Sequence, residues 1–283
     1  MVKIFIRSFH SSSRVQILGK LSKTIKNTTP PPFKVVSIVK PVGSKQQPLA
    51  SKNSQPETQS LWQSIKDTFD AEKREKRQAQ LEREIAVGGF YDMQNYTKTQ
   101  GKIFLPPVSY FKADKSLYFP NVIAKNLNNE MVHTTNLFKG KTTILRVFSS
   151  LEGEIRNRGF FQISNSNDSF LSSTGLIKLN ELYPNTQIVE LNLSENNLKH
   201  LFVNLAVRNL KTTIPEKRKH SYLIGHRSDL TSEVKDELMM KNVYTCFIYV
   251  IDKDCKIRWL TCGRSNQKEY DMLWKCVKGL NEE

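Results

Sequence analysis

Two kinds of residue are missing from long stretches of this 283-residue chain. No Asp or Glu precedes Glu57, and all four cysteines lie within the last 38 residues. This late, uneven placement of cysteine excludes the disulfide framework of a small secreted domain and favours a reducing compartment. No run reaches 18 consecutive apolar residues, so the sequence predicts no membrane-spanning helix. A hydrophobic content of 38% and a mean hydropathy of -0.48 exclude a polytopic membrane protein and a fully disordered chain.

The chain carries a formal net charge of +16, and most of this excess lies near its start. Ten basic residues precede Glu57, whereas the remaining residues carry 33 basic and 27 acidic side chains, a net charge of +6. Residues 1–30 combine Lys and Arg with Ile, Leu, Phe, Ser and Thr, which is typical of a mitochondrial transit peptide. A basic arm that binds nucleic acid is the alternative interpretation.

Three segments separate this tail from the main domain. Residues 31–60 are rich in Pro, Ser, Gln and Lys, which predicts a disordered linker. Residues 61–89 begin with apolar residues at four-residue spacing, which predicts a charged amphipathic helix that ends at Gly88 and Gly89. Residues 90–117 are rich in aromatic side chains but show no periodicity, so we expect an irregular segment that wraps a core or a partner.

Residues 118–283 carry the pattern of a folded α/β domain. Two apolar runs, each followed by a helical pattern, predict two βα units with parallel strands. A third run with its own helical pattern, a hairpin and a final amphipathic helix follow. The five runs are TTILRVFSS (142–150), QIVELNLSE (187–195), SYLIG (221–225), CFIYVI (246–251) and KIRWLTC (256–262). We interpret this order as a thioredoxin-like α/β sandwich of the peroxiredoxin subtype.

Individual residues carry a more specific resemblance. The stretch FIYVIDKDCKIRWLTCG resembles the closing hairpin of thioredoxin-like proteins, with Cys255 at the position usually held by Gly. Together with this hairpin, four further segments resemble the mitochondrial ATP synthase assembly factor family that escorts subunit a, the proton-channel subunit. These segments are YFPN (118–121), GKTTILRVFSS (140–150), VELNLSENNLKHLF (189–202) and TTIP (212–215). The resemblance covers about residues 90–283. It implies a chaperone on the matrix side of the mitochondrial inner membrane, peripheral to the bilayer, that binds subunit a before its incorporation.

A thioredoxin-type mechanism needs a thiolate of low pKa at the N-terminus of a helix. The corresponding position, after the first strand of the domain, reads Ser149, Ser150, Leu151 and Glu152, without Cys-x-x-Cys or Thr-x-x-Cys. The cysteine spacings also match no paired zinc pattern. We therefore expect no catalytic residue, no metal site and no cofactor. We interpret the cysteines as half-buried free thiols that act as small apolar residues; a metal site or a regulatory disulfide is the alternative.

Four residues are candidates for binding a partner: Tyr118, Phe119, Arg258 and Trp259. Adjacent side chains of a strand point to opposite faces, so we expect one of Arg258 and Trp259 to be exposed. An exposed Trp beside an Arg is typical of a protein-binding hot spot. The alternative is that Trp259 fills the core beneath the last helix while Arg258 is solvated.

The combined expectation is a non-enzymatic assembly chaperone that binds subunit a and neither nucleic acid nor a small-molecule substrate. Two other functions stay open. The basic tail also suits a mitochondrial ribosome-associated or RNA-binding protein, although a charge near +6 after removal of the tail argues against it. A degenerate thioredoxin-like redox protein is the remaining alternative.

Overall fold

The computed structural model of the protein describes residues 34–48, 89–194 and 210–283. Backbone contacts divide the chain into two compact units, 1–33 with 61–91 and 34–60 with 92–283. Apart from residues 89–91, the features below belong to the second unit. The transit peptide expected over 1–30 lies outside the described residues. The helix expected over 61–89 also lies outside them, except for Gly89, which begins a helix.

The described chain contains ten strands and six α-helices, numbered here in chain order. The strands are β1 (Val36–Ser37), β2 (Phe104–Leu105), β3 (Leu117–Tyr118), β4 (Ile123–Asn126), β5 (Met131–His133), β6 (Thr142–Phe148), β7 (Thr186–Ser194), β8 (Tyr222–His226), β9 (Phe247–Ile251) and β10 (Lys256–Cys262). The helices are α1 (Gly89–Thr99), α2 (Thr134–Phe138), α3 (Leu151–Arg156), α4 (Ser173–Leu182), α5 (Ser232–Glu237) and α6 (Gln267–Glu282). Short 3-10 turns cover Arg158–Phe161, Glu216–Arg218 and Arg227–Asp229.

Eight strands form one mixed sheet in the order β3-β10-β9-β6-β7-β8-β4-β5. β6, β7 and β8 run parallel to one another, whereas all other neighbouring pairs are antiparallel. The central order β10-β9-β6-β7, with two parallel strands joined to an antiparallel hairpin, is the thioredoxin-like arrangement. The expected fold class is therefore confirmed.

Both faces of the central sheet are covered, which explains why its strands are apolar at nearly every position. All seven residues of β6 are buried. On one face, β6 and β10 contribute Ile144 and Trp259 to a core that α6 covers with Leu273, Trp274 and Val277. α6 begins where the Asn266 side chain accepts a hydrogen bond from the Glu269 backbone N–H at 3.0 Å.

The prediction of a disordered linker over residues 31–60 is wrong for residues 34–48, the part that the structure describes. Residues 34–48 contain β1, which pairs in parallel with β2, and within this segment Ile38 and Val42 are buried. Ser44 exchanges two backbone hydrogen bonds with Tyr118, at 2.8 and 2.9 Å. The composition is that of a linker, but the short apolar run KVVSIV obtains its partners from residues more than 60 positions away.

The prediction of an irregular segment over residues 90–117 is also only partly correct. Its first residues belong to α1, and β2 follows. Phe104 is fully buried and stacks on Phe247, with ring centroids 6.3 Å apart. The compact unit therefore begins well before Tyr118, and the aromatic side chain at Phe104 belongs to its core.

Candidate functional site

The carboxyl ends of the parallel strands β6 and β7 mark the edge at which open α/β sheets usually bind ligands. Here α3 follows β6, and Ser150 is its N-cap. The Ser150 hydroxyl accepts a hydrogen bond from the Gly153 N–H at 3.1 Å and donates one to the Tyr244 carbonyl at 2.9 Å. A Cβ at Gly153 would lie 2.8 Å from that carbonyl oxygen. The start of α3 is thus held tightly against the loop before β9.

Among the described residues, this edge carries no exposed thiol. Cys246, Cys255, Cys262 and Cys276 are all free and buried. Burial raises the pKa of Cys246 to about 12 and those of Cys255 and Cys262 to about 11, and it also raises the pKa of Cys276. Each thiol is therefore neutral at physiological pH and poorly suited to nucleophilic attack. In the described part of the chain, no group of three or more His, Cys, Asp or Glu side chains could hold a metal ion.

Apolar side chains occupy the exposed surface at this edge. Leu151 is 68% exposed and Ile155 is 46% exposed, and these residues are neighbours at i and i+4 on α3. Tyr96 of α1 contacts the same helix, since its hydroxyl donates to the Glu152 carboxylate at 3.4 Å, and its ring lies 6.3 Å from that of Tyr244. We call Leu151, Ile155, Tyr96 and Tyr244 the apolar edge.

The charged residues around the apolar edge are already paired. Glu152 forms an ion pair with Arg156 at 2.6 Å, and Glu154 forms one with Arg158 at 3.1 Å. Burial and the neighbouring Glu152 charge raise the pKa of Tyr96, which keeps its hydroxyl protonated as a donor. The apolar edge therefore exposes aliphatic and aromatic groups next to two ion pairs whose charges cancel.

A cluster of buried charged residues contacts the end of α3. The Glu190 carboxylate of β7 accepts hydrogen bonds from both Arg146 of β6 and Arg218. Arg146 also donates to the Asn157 side chain at 2.7 Å and to the Glu154 carbonyl at 3.1 Å, at the end of α3. Burial lowers the pKa of Arg146, and burial together with the charge of Arg146 lowers the pKa of Arg218 to about 10.

The four residues predicted to bind a partner lie outside the apolar edge. Trp259 is 0% exposed and Arg258 is 2% exposed, so the expectation that one of this pair is exposed is wrong. Phe119 is also buried, and Tyr118 is half-buried. β10 is irregular at this pair, and residues 107–113 together with α6 and the adjoining Glu283 cover both side chains. Direct contact with a partner through Phe119, Arg258 or Trp259 is thus incompatible with this conformation.

Arg258 and Trp259 instead hold neighbouring chain segments. The Trp259 indole N–H donates to the Pro107 carbonyl at 3.0 Å. Arg258 donates to the Phe111 carbonyl at 2.7 Å and to both carboxylate oxygens of Glu283, at 2.8 and 2.9 Å. Burial lowers the pKa of Arg258, but its hydrogen bonds with Glu283 and Asp252 outweigh this effect and raise the pKa overall.

The β10 register shifts between Ile257 and Trp259. This irregularity pairs Cys262 with Phe247 and places Gly263 opposite Cys246, so the two cysteines do not lie directly across from each other. At the hairpin turn, Cys255 has a positive φ of 67°, which agrees with its position where glycine is usual.

Sequence reasoning missed the apolar edge and the buried charges, although both left a signal. LEGEIR places two aliphatic residues at i and i+4 in a helix too short and too charged to be a core helix. Arg146 and Glu190 each interrupt an otherwise apolar strand, and their direct pairing in the β6–β7 register satisfies both charges.

The fold and this edge define a thioredoxin-like protein. Residues Ser149 to Glu152 occupy the position, after the first strand of the domain, at which a thioredoxin-type mechanism needs a thiol. A model of the family described as "ATP10 protein" matches residues 22–280, and the chain belongs to that family. Two similar relatives are each named "Mitochondrial ATPase complex subunit ATP10". The Candida glabrata protein is 34% identical over 276 residues, which cover 97% of this chain and 96% of that protein. The Saccharomyces cerevisiae protein is 33% identical over 283 residues, which cover 98% of this chain and 99% of that protein.

Similar solved structures are thioredoxin-like. One is the thioredoxin domain of a thiol-disulfide oxidoreductase from Bacteroides vulgatus, with a TM-score of 0.36, 15% identity and coverage of 56% of this chain and 95% of that chain. Another is a secreted thiol-disulfide isomerase from Corynebacterium glutamicum, with a TM-score of 0.38, 10% identity and coverage of 62% and 91%. Within residues 34–48, 89–194 and 210–283, no helix has the length and apolar character needed to cross a bilayer.

Proposed function

We propose that the protein is a non-catalytic assembly factor of the mitochondrial ATP synthase. It binds the hydrophobic proton-channel subunit a before that subunit is incorporated, from the matrix side of the inner membrane. Family membership and the names of the relatives support the ATP synthase and the mitochondrion. The observation that carries the proposal is the apolar edge, which replaces a reactive thiol with an exposed binding surface at the ligand-binding end of the sheet.

The chemistry of the apolar edge suits a helix of a membrane protein. Before assembly, such a helix exposes aliphatic side chains, and a chaperone shields them with an apolar, partly aromatic surface of its own. Leu151 and Ile155 provide the aliphatic groups, and Tyr96 and Tyr244 provide rings with a polar end. Because the adjacent carboxylates are already paired, an apolar helix can approach without leaving an unpaired charge buried.

The same features disfavour the two other functions. At the apolar edge, nucleic acid binding would require unpaired cations, whereas the arginines on α3 and next to it are paired with Glu152 and Glu154. Redox exchange requires an accessible thiolate, whereas burial raises the pKa of all four thiols.

The test is a double variant of the apolar edge, Leu151→Gln with Ile155→Gln. Glutamine keeps side-chain length and helix propensity but removes the aliphatic surface. The matched control is Ile177→Gln with Leu182→Gln on α4, because both side chains are also about half exposed. Each variant replaces the wild-type protein in mitochondria, and subunit a is then co-purified with it from a detergent extract.

We expect the edge variant to recover about tenfold less subunit a than the wild type, as for loss of an interface hot spot. The control should recover as much as the wild type, and both variants should melt within about 2 °C of it, because exposed substitutions have small effects on stability. Full recovery of subunit a by a folded edge variant would exclude this surface as the client site. Recovery of RNA instead of subunit a by the wild type would refute the proposed function.

A further inference from the structure

An open cavity of about 590 Å³ lies between residues 108–113, strand β10 and helix α6. Apolar groups of Val108, Tyr110 and Met272 line it, and Val108 is 92% exposed. The Tyr110 side chain packs closely against α6, since a Cβ at Gly279 would lie 2.5 Å from the Tyr110 hydroxyl oxygen. We call this space the β10–α6 cavity, and it lies outside the apolar edge.

The guanidinium group of Arg258 is the main polar group of the β10–α6 cavity. Its Nη1 and Nη2 atoms donate to the two carboxylate oxygens of Glu283, at 2.8 and 2.9 Å, which is the bidentate geometry of strong Arg–carboxylate pairs. Nε donates to the Phe111 carbonyl at 2.7 Å, and Nη1 also donates to Asp252 at 3.2 Å. Among the described residues, Glu283 is the only acceptor for Nη2.

The two carboxylates that contact Arg258 are held to different degrees. Asp252 is buried, and its Oδ1 atom also accepts hydrogen bonds from the Asp254 and Lys256 backbone N–H groups, at 3.0 and 2.9 Å. The hairpin turn therefore fixes Asp252. The Glu283 side chain is 46% exposed and follows the end of α6. If Glu283 left the cavity, Asp252 would still compensate part of the charge of Arg258.

The charge of the β10–α6 cavity is mostly positive. Lys112 and Lys275 line it, are exposed and make no ion pair with any described residue. Among the described residues that line the cavity, Glu283 alone is acidic. Hydrogen bonds from Arg258 lower the pKa of Glu283, so its carboxylate is ionised at neutral pH. Without Glu283, the lining would present three cations and apolar groups.

We propose that the β10–α6 cavity binds an acidic side chain of a partner protein together with an apolar residue next to it, and that Glu283 occupies the site until the partner displaces it. In the structure Glu283 excludes a partner from Arg258, and its displacement uncovers the guanidinium group. The Asp or Glu carboxylate of the partner then accepts from Nη1 and Nη2, while the apolar residue packs against Val108 and Tyr110. Lys112 and Lys275 attract the acidic segment.

A phosphate group fits this cavity less well. Asp252 lies 3.2 Å from Nη1 and repels a dianion more strongly than it repels a single carboxylate. The apolar lining at Val108 and Tyr110 also gives a phosphate no favourable contact. The inference goes beyond the proposed function, because it concerns a separate surface and does not depend on what binds at the apolar edge.

The test is an NMR titration of the isotopically labelled full chain with the peptide acetyl-Ala-Leu-Glu-Leu-Ala-amide. The same peptide with Gln in place of Glu is its uncharged control. The Arg258 Nε–H signal reports on the cavity directly. The Trp259 indole N–H signal reports on its border, because this group donates to the Pro107 carbonyl.

The main variant is Glu283→Gln, which keeps the shape of the side chain but removes the competing charge. Its matched control is Glu282→Gln, which makes the same change in net charge at the preceding exposed residue. A second variant, Lys112→Gln with Lys275→Gln, removes the two lysines of the cavity. Its control is Lys125→Gln with Lys217→Gln, because these two lysines are also exposed but do not line the cavity.

We expect Glu283→Gln to bind the Glu peptide about tenfold more tightly than the wild type, because an internal competitor of high effective concentration is removed. Glu282→Gln should bind within about twofold of the wild type. The variant of Lys112 and Lys275 should bind the Glu peptide about fivefold more weakly than its control. The Gln peptide should bind Glu283→Gln at least about tenfold more weakly than the Glu peptide does.

Three results would overturn the proposal. Equal affinity of Glu283→Gln and Glu282→Gln for the Glu peptide, including no binding by either, would show that Glu283 is only a structural partner of Arg258. Equal binding of the Glu and Gln peptides would exclude recognition of the carboxylate. Displacement of the Glu peptide by equimolar inorganic phosphate would indicate a general anion site. The titration contains no subunit a, so its failure and the failure of the proposed function are distinguishable.

Discussion

The substitution Glu190→Gln tests how the buried charges hold the site together. Glu190 is buried in the middle of the sheet and is the carboxylate shared by Arg146 and Arg218. Glutamine has nearly the same shape, so the change removes one negative charge without creating a cavity. Two buried guanidinium groups would then face each other across an uncharged amide, while Arg146 still contacts the end of α3.

The expected cost is large. Removing one partner from a buried ion pair destabilises a protein by about 3–5 kcal/mol, because the remaining charge stays desolvated without compensation. For a compact unit of this size, each kcal/mol lowers the melting temperature by about 2–4 °C. We therefore expect Glu190→Gln to melt about 6–20 °C below the wild type. The matched control, Glu154→Gln, removes a partly exposed ion pair with Arg158 and should cost no more than about 1 kcal/mol.

Urea unfolding followed by circular dichroism gives the free energy of unfolding of each variant. A third protein, in which Arg146, Glu190 and Arg218 are all replaced by Met, separates the buried charge from the position itself. This triple variant should be more stable than Glu190→Gln, because it leaves no buried charge unpaired. A Glu190→Gln variant within 1 kcal/mol of the wild type would refute the reasoning and show that solvent reaches the cluster.

Two further predictions concern the core. Trp259→Phe removes the hydrogen-bond donor to the Pro107 carbonyl and should lower the free energy of unfolding by about 1–3 kcal/mol, whereas Trp259→Ala should lower it by about 3–5 kcal/mol. Urea unfolding measures both changes, and a Trp259→Ala variant as stable as the wild type would show that the indole is not a core group. Replacing all four cysteines with Ala should leave ATP synthase assembly intact in a folded variant, and lost assembly would restore a redox or metal role. Because burial raises the thiol pKa values, their contribution to stability is fully present below about pH 8.5 and is lost as the pH rises through about 11. Between these pH values, each thiol should lower the free energy of unfolding of the wild type by up to about 1.4 kcal/mol for each pH unit. The free energy of unfolding of the Cys-free variant should fall less.

The sequence by itself determined the central architecture. β6, β8 and β9 contain stretches that are apolar at successive positions, and only a strand covered on both faces accommodates such a stretch. The absence of cysteine before residue 246 also determined that no thiol could follow β6. Both inferences depend on local pattern, so no knowledge of distant contacts was needed.

Only the tertiary structure decided the surfaces. The register of β10 shifts between Ile257 and Trp259, so alternation does not fix the faces of Arg258 and Trp259. Residues 107–113 and α6 bury both side chains, and neither cover is encoded next to the pair. Likewise, KVVSIV became β1 only because β2, more than 60 residues away, supplies its hydrogen bonds. A residue's exposure depends on which segments return to pack against it, and the free energy of that packing is shared among residues far apart in the chain, so local pattern alone does not determine exposure.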